Sequence, residues 1–519
     1  MPIIGTLVHG KYLDSVKLML VSKEMRQQDG VTDAVAIMAT PENRDILKAT
    51  NMLLPEFAKA LDTDICIAIK AETEATCSEV MDLVKVWLDK GLPGSDSQDK
   101  ADFMPRSLDS AVKLMPDANL ALVSVAGKYA GTEAKKALDL GLNVMLFSDN
   151  VSIQTEKDLK EYAISKDLLL MGPDCGTAII NGVPLAFANA VRRGKIGIVS
   201  ASGTGLQEVS CVINNLGEGI SQAFGTGGRD GKKEIGGLML LKCLEYLLFD
   251  LSTEVIVLIS KVPDEEVIAK IWALIKMTEK PVVVNFLRPF ELQQLSNVYS
   301  GNTLAETAQI ACRILTDKND KNLALKRRES DSIFQNRTLV ELPTKESRKY
   351  VRGLFSGGTL CYEAQNLYHQ KLGNFAYSNA PLESEYKLED VWKSKEDTII
   401  DMGADEFTVG RPHPMIDYSL RLKKIEEESK DDETAIILLD VVLGFGAHLS
   451  PHLELAPILK KVKADTCIIV ICAVIGTDAD PQNRQEVIRY LSNTGSIVTT
   501  TNAEACMLAV RLLQSIRSS

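Results

Sequence analysis

The segment Gly194–Gly205 constrains the fold more than any other. Lys195-Ile196-Gly197-Ile198-Val199 is a short apolar run, Ser200-Ala201-Ser202-Gly203 is a turn, and Leu206–Leu216 carries apolar residues at helical spacing. A strand that passes through a Ser/Gly turn into a helix is the unit of a parallel α/β sheet. Such a turn leaves backbone N–H groups above the strand, and the helix dipole favours an anion there. Gly172-Pro173-Asp174-Cys175-Gly176 stands just upstream.

The same alternation continues along the chain. Within residues 1–90, strands are expected at Thr6–His9, Ala34–Ala39 and Ile65–Ile69, with helices at Ser15–Gln27 and Cys77–Leu88. That pattern predicts a small, ferredoxin-like α/β domain. A parallel βαβαβ pattern follows, with strands Leu120–Val125, Asn143–Phe147 and Leu168–Met171. A third unit has strands Ile196–Val199, Val255–Ile259 and Pro281–Phe286. The last has Gly353–Phe355, Thr398–Ile400, Ala435–Val442, Cys467–Val474 and Ser496–Thr500. Polar stretches at 91–106 and 317–337 read as linkers. The expected domains are 1–105, 106–192, 193–330 and 331–519, and no repeat of 20–50 residues is evident.

A chain of 519 residues is too long for one core. Its net charge of −12 argues against nucleic-acid or anionic-membrane partners, though not against a local anion site. No run approaches the roughly 20 apolar residues of a membrane span, and Met1–Gly10 lacks the pattern of a secretory leader. The ten cysteines show no CxxC spacing, which predicts reduced, buried thiols in the cytoplasm.

The motifs nominate a phosphate or substrate shell. Ser200, Ser202, Gly203, Thr204 and Gly205 form the turn, with Asp174 nearby in sequence. Glu208 stands where a dinucleotide fingerprint needs its last glycine, so that fingerprint fails. Gly225-Thr226-Gly227-Gly228-Arg229-Asp230 resembles a P-loop but fails it at Thr226 and Lys233. Gly227, Gly228 and Arg229 are kept as anion-binding candidates. Arg411-Pro412-His413-Pro414 is a rigid loop. There Arg411 is suited to clamp a carboxylate or phosphate, and His413 to act as acid/base or hydrogen-bond donor, with a structural turn as the equal alternative. Gly444 and Gly446 flank Phe445 in a further glycine-rich turn, and His448 reads as a helix cap. His369 and His452 are expected at the surface. Asp401, Asp405 and Glu406 read as a solvated acidic loop in preference to a Mg²⁺ site, and no metal site is assigned. Cys175 reads as a packing residue.

From Leu120 to Phe286 the chain resembles the α-type subunit of succinyl-CoA ligases. Gly172–Gly176 matches its GPNCPG, Gly197–Thr204 its GIVSRSGT, Glu208 the glutamate of the next helix and Gly225–Gly228 its GIGG turn. Gly353–Leu360 and Leu439–His448 resemble the C-terminal ligase domain of the β-type subunit. As a whole chain, MLFSDNV, MGPDCGT, GGRD, VGRPHPMID and LGFGA resemble the FdrA-like proteins. The resemblance implies an α/β fold class: a small N-terminal α/β domain, a Rossmann-like CoA-binding-type domain and two flavodoxin-like ligase-type domains.

Three departures accompany it. The ligase phosphohistidine segment reads Arg288-Pro289-Phe290-Glu291-Leu292 here, and no histidine occurs between His9 and His369. The glycine-rich CoA loop has no match in residues 107–119, and nothing resembles the nucleotide-binding half of the β-type subunit. FdrA-like proteins are associated with purine (allantoin) breakdown. The resemblance therefore implies carbamoyl transfer, from oxalurate and phosphate to oxamate and carbamoyl phosphate, with His413, Arg411 and Glu208 as catalytic residues. The alternatives are an acyl-CoA synthetase of succinate–CoA ligase type and a non-catalytic metabolite-binding scaffold subunit. Phosphate or carbamoyl phosphate is the expected ligand, CoA is left open, and a small carboxylate or ureide is the expected substrate. The expected assembly is a hetero-oligomer with neighbouring-gene subunits, or a homodimer.

Overall fold

The computed structural model describes residues 1–10, 13, 15–40, 43–44, 47–48, 52–90, 105, 107–288, 290–291, 293–316, 347–408 and 411–518. Apart from residue 105, both expected linkers lie outside that set. The described chain divides into two compact units, Met1–Asp117 with Asp405–Pro412, and Ala118–Ala404 with His413–Ser519.

The first unit is built from β1 (Ile3–Val8), α1 (Ser15–Arg26), β2 (Val31–Met38), β3 (Ile65–Ala71) and α2 (Glu74–Lys90). The strands form an antiparallel sheet in the order β1-β3-β2. The middle strand is apolar at almost every position because both its faces are covered. Ile65, Ile67 and Ile69 pack with Leu18, Val21, Met25, Val84 and Trp87. Cys66 and Ala68 face the other way, onto Leu47, Met52 and Phe57. These are three strands and two helices of the ferredoxin-like plan. The helix α3 (Leu108–Leu114), which opens the expected second domain, falls with this unit and is capped by Ser107.

The second unit holds three sheets. A small parallel one has the order β4-β5-β6 (Leu120–Val123, Asn143–Leu146, Leu170–Met171), with α4 (Gly127–Asp139) and α5 (Ile153–Ser165) between its strands. A seven-stranded sheet follows, built from β7 (Thr177–Ile180), β8 (Val183–Ala186), β9 (Arg193–Ser200), β10 (Ile220–Gly225), β11 (Val255–Ile259), β12 (Val282–Asn285) and β13 (Val298–Ser300). Its order is β13-β12-β11-β9-β10-β7-β8. Its helices are α6 (Gly203–Asn215), α7 (Leu238–Phe249), α8 (Glu265–Ile275) and α9 (Leu304–Thr316). The five-stranded parallel sheet β15-β14-β16-β17-β18 contains β14 (Tyr350–Phe355), β15 (Thr398–Asp401), β16 (Thr434–Val442), β17 (Ile469–Ile475) and β18 (Ile497–Thr499). Its helices are α10 (Gly358–Leu372), α11 (Ser419–Ser429), α12 (Pro451–Asp465), α13 (Arg484–Ser492) and α14 (Asn502–Ser518).

The β7–β8 hairpin lies inside the expected 106–192 domain but extends the seven-stranded sheet, pairing antiparallel with β10. Asn181 and Gly182 turn it with φ of 52° and 81°, the conformation a two-residue hairpin needs. The two larger sheets share a core that runs from Ile198 and Val257 through Leu206, Ala308, Leu360 and Val510 to Val351 and Leu438.

Two buried devices tie this unit together. Lys160 Nζ bonds Glu156 Oε1 at 2.8 Å, Asp230 Oδ1 at 2.5 Å and the Thr226 carbonyl at 3.1 Å. Asp230 also accepts the Leu240 N–H at 2.6 Å at the start of α7. The second device reciprocates between the two larger sheets. Glu208, on α6, accepts the first N–H of α14 from Asn502 at 2.8 Å, and Glu363, on α10, accepts the first N–H of α9 from Leu304 at 2.8 Å. Asn502 Nδ2 closes the arrangement on Glu363 Oε2 at 2.8 Å. Burial, with the Glu363 carboxylate beside it, pushes the Glu208 carboxyl well above its ordinary range.

Replacing Lys160 with Met leaves Glu156 and Asp230 buried without their cation. The second unit should then lose about 3–5 kcal/mol of unfolding free energy. Urea unfolding checks this, and a loss under about 1 kcal/mol contradicts it.

Candidate functional site

The β9 strand delivers Ser200 to the turn that starts α6. Ser200 Oγ donates to the Ser202 carbonyl at 2.7 Å and accepts the Ser202 N–H at 3.1 Å. Ser202 is the N-cap, its Oγ accepting the Gly205 N–H at 2.9 Å. The first-turn N–H groups of Gly203 and Thr204 have no acceptor within the helix. The β14 strand does the same for α10. There the buried Asp440 accepts the N–H groups of Ser356 at 2.8 Å and Gly357 at 3.0 Å, and the Ser356 hydroxyl at 2.9 Å. Arg421 Nη2 pairs with Asp440 Oδ1 at 2.9 Å.

The two helix starts abut. Ser202 Oγ is hydrogen-bonded to Thr359 Oγ1. A Cβ added at Gly357 would stand 2.6 Å from Thr204 Cγ2, so only glycine permits this approach. Thr177 Oγ1 lies 3.3 Å from where a Gly203 Cβ would be and donates to the Phe187 carbonyl at 2.7 Å. The Phe187 ring contacts Phe147, with centroids 5.6 Å apart, and His413, at 5.7 Å.

His413 enters from the other side. Its Nδ1 accepts the Met415 N–H at 3.2 Å, which leaves the proton on Nε2. The position a Gly403 Cβ would occupy is 2.6 Å from the Ser356 carbonyl, 2.8 Å from His413 Nε2 and 3.1 Å from Asp401 Oδ1. These three groups therefore converge beside the α10 start. Burial of the ring, and then the Arg421 charge, lower the His413 pKa to about 4. At neutral pH it is a neutral imidazole whose Nε2–H is a donor, not the acid/base poised near pH 7 that its residue type suggests.

The remaining candidates sort by place. Gly227 (φ 87°) packs so that a Cβ would fall 2.3 Å from the Pro173 carbonyl. A Cβ at Gly228 would be 3.8 Å from Asp174 Oδ2 and 3.9 Å from the Ala201 carbonyl, so Asp174 and this turn flank the α6 start. Arg229 does not face it, because Nη2 is bound to Glu156 Oε2 and the Val151 carbonyl, each at 2.8 Å. The Gly444 N–H and carbonyl are both taken by the Gln482 amide, at 3.0 and 2.7 Å. A Cβ at Gly446 would meet the Phe187 ring at 2.9 Å. Gly444 thus spends its N–H on Gln482 and packs on the Ala188 carbonyl, while Gly446 backs Phe187. Glu208 lies deeper, as the interdomain acceptor described above.

Arg411 falls with the first unit and His413 with the second. His448 does not cap α12: its Nδ1 accepts the N–H of Ser450 at 3.0 Å, the residue ahead of the helix, whose start has no side-chain cap. His452 is a correction. It is 5% exposed and packed on Tyr490, because it sits in the buried first turn of α12. Burial pushes the Cys175 thiol up to about 12, and its Sγ donates to the Gly225 carbonyl, which fits packing. Asp405 and Glu406 fall with the first unit and Asp401 with the second.

Sequence reading missed Thr177, Phe187, Thr359 and Asp440. Thr359 had a visible signal, since Gly358-Thr359-x-x-x-Glu363 repeats Gly203-Thr204-x-x-x-Glu208.

Family models match three segments: an AllF heavy metal-associated domain over residues 1–103, a CoA-binding domain over 191–287 and a CoA-ligase domain over 354–512. The chain is 40% identical over 508 residues to the uncharacterized protein YahF of Escherichia coli, covering 96% of both. The chain belongs to the FdrA-like family. The succinate–CoA ligase α subunit of Aquifex aeolicus is 30% identical over 171 residues, 32% of this chain and 55% of that one. The chain thus spans about half the length of the ligase subunits it matches. Among solved structures, PH0766 from Pyrococcus horikoshii aligns over 78% of this chain and 86% of its own, at 15% identity and a TM-score of 0.31.

Cys66 and Cys77 lie in separate clusters, and burial pushes the Cys66 thiol up to about 11. No group of three His, Cys, Asp or Glu among the described residues is placed to hold a metal ion. No helix among them is long and apolar enough to cross a membrane.

The His413 shift has a pH signature. Its folded-state pKa lies below the ordinary 6.5, so stability is lost as pH falls from about 6.5 to about 4. NMR of ¹³C-histidine-labelled protein should show His413 titrating near 4. His413→Gln should flatten that part of the stability curve, and a midpoint near 6.5 would refute the burial account.

Proposed function

We propose that this FdrA-like chain is a subunit of a phosphate-dependent carbamoyltransferase acting where α6 and α10 begin. The observation that carries the reading is the convergence of two helix starts with a neutral Nε2–H donor, in a chain with no histidine between His9 and His369 to carry a phosphoryl group. The ligase relatives' position for such a histidine is occupied by Arg288–Leu292, where Phe290 packs on Phe286.

In this reading phosphate sits at the first turn of α6, on the N–H groups of Gly203 and Thr204. A phosphate oxygen attacks the carbamoyl carbon of oxalurate. The C–O bond forms, the C–N bond to the oxamyl nitrogen breaks, and that nitrogen takes the proton of monohydrogen phosphate. Oxamate and carbamoyl phosphate leave, with no redox change. Fixed N–H donors stabilise the oxyanion that develops at the carbamoyl oxygen and need little reorganisation to do so. The allantoin-related AllF segment fits this substrate class. Partner subunits from neighbouring genes complete the enzyme in the cytoplasm.

Acyl-CoA ligation is the second reading, favoured by the CoA-binding model over residues 191–287 and by the ligase relatives. The residues fit CoA poorly where the ligases carry their CoA loop, because α3 occupies residues 108–114.

Incubating oxalurate and phosphate with the protein and its neighbouring gene products should yield carbamoyl phosphate. His413→Ala should lower turnover by on the order of 10² without unfolding the chain. In thermal-shift titration, carbamoyl phosphate or oxamate should raise Tm, since a ligand at 100 times its Kd adds about 2.7 kcal/mol. Stabilisation by CoA alone would reverse the ranking.

A further inference from the structure

We propose that Lys261 is the cation that binds phosphate beside the start of α6. The inference rests on the phosphate half of the carbamoyl-transfer reading. It adds the counter-charge that Arg229, bound to Glu156, does not supply there.

Strand order locates the residue. In the seven-stranded sheet β9 has β10 on one side and β11 on the other. The chain leaving β9 passes through α6 to β10, and the chain leaving β11 passes through α8 to β12. The two depart in opposite directions and to opposite faces. Leu206 and Val209 of α6 cluster with Ile198 and Val257, whereas Val267 and Ile271 of α8 cluster with Val199, Ile256 and Leu258. Connections that diverge in this way open a crevice between the carboxyl ends of neighbouring strands, and open α/β sheets bind their ligands there. One lip is the turn at Ser200–Gly203, and the other is Ser260-Lys261. Ile259 pairs with Ser200, and the Ala201 N–H donates to the Ile259 carbonyl at 2.9 Å. The two lips therefore start side by side, about 5 Å apart. Ser202 and Gly203 are half-buried and Lys261 is exposed, so both lips meet solvent.

The α10 helix lies across these strand ends. Thr359, Tyr362 and Asn366 share one of its faces by their spacing. Thr359 bonds Ser202 beyond β9, Tyr362 meets Lys261 beyond β11, and Asn366 Nδ2 donates to the Leu287 carbonyl beyond β12 at 2.9 Å. Lys261 Nζ stands 5.1 Å from the centroid of the Tyr362 ring. That cation–π contact holds the ammonium about one helical turn from Thr359, which touches the α6 cap. Among the described residues no carboxylate pairs with it. A flexible stem and three donors let an ammonium in this position follow a phosphate oxygen. The N–H groups of Gly203 and Thr204 give direction, and Lys261 gives the full charge that a helix start lacks.

Calorimetry on the full chain at low ionic strength would compare inorganic phosphate with carbamoyl phosphate. Lys261→Gln should weaken both about tenfold or more, as loss of a hydrogen bond from a charged group does, with the Tm of the ligand-free chain unchanged. Lys261→Arg keeps the charge and should stay within about threefold of the wild type. Added salt should weaken binding by the wild type and by Lys261→Arg more steeply than by Lys261→Gln. Wild-type affinity in Lys261→Gln overturns the role of Lys261 and leaves the phosphate site standing. Equal losses in Lys261→Gln and Lys261→Arg also overturn it, since charge would not be what counts. Failure of the wild type to bind either ligand overturns the phosphate site and this inference together. Phosphate binding that depends on Lys261, with no carbamoyl phosphate formed from oxalurate in the presence of the neighbouring gene products, supports this inference and overturns the carbamoyl reading.

Discussion

Everything at the candidate site depends on two glutamates that are not in it. Glu208 and Glu363 sit below the helix starts and each accepts the first N–H of a helix from the other large sheet. Helix starts carry partial positive charge, so a carboxylate there is well placed even where water is excluded. The exchange holds α6 and α10 end to end. It also explains why the turns above them are short and glycine-bearing, since side chains at Gly357 would drive the two starts apart. Glu208 Oε2 is buried without a hydrogen-bond partner. With Glu363 near, the pair is poorly suited to two full charges, and the raised Glu208 pKa is the response.

Charge is likewise arranged around His413. Arg421 and Asp440 form a buried pair behind it, and Asp440 uses its remaining lone pairs on the Ser356 and Gly357 loop. The guanidinium helps keep the imidazole neutral. The same pair thus fixes the shape of the α10 start and the protonation state of the residue facing it. Under the carbamoyl-transfer proposal, a neutral donor suits an oxyanion that forms and collapses, since it does not bind the ground-state anion as tightly as an imidazolium would.

Much of the fold was legible because parallel strands buried on both faces read as continuous apolar runs, such as Val255–Ile259 and Thr434–Val442. The Ser/Gly turn at Ser200–Gly205 announced its strand and helix correctly. What escaped reading has local causes. The β7–β8 hairpin carries an Asn-Gly turn, but its strands are four residues each and lie against a glycine-rich motif. Arg229 reads as an anion ligand because its charge stands in a glycine-rich turn. Its partner Glu156 lies far away in sequence, on α5, and only the fold brings them together. His413 was legible as a site residue but not as a neutral one, since burial and Arg421 set its state. Thr359 and Asp401 needed the second large sheet to be placed against the first.

The correspondence between the two Gly-Thr-x-x-x-Glu segments has a consequence for assembly. Each half supplies one helix start, and neither start is complete without its counterpart. Were the halves separate polypeptides, the junction would exist only at concentrations that favour their association. Joined in one chain, they meet at an effective concentration set by tether length, and dilution does not separate them. The stoichiometry of the two half-sites is fixed at synthesis, so no excess of one can titrate the other, and loss of either half by proteolysis would remove the junction in a single step.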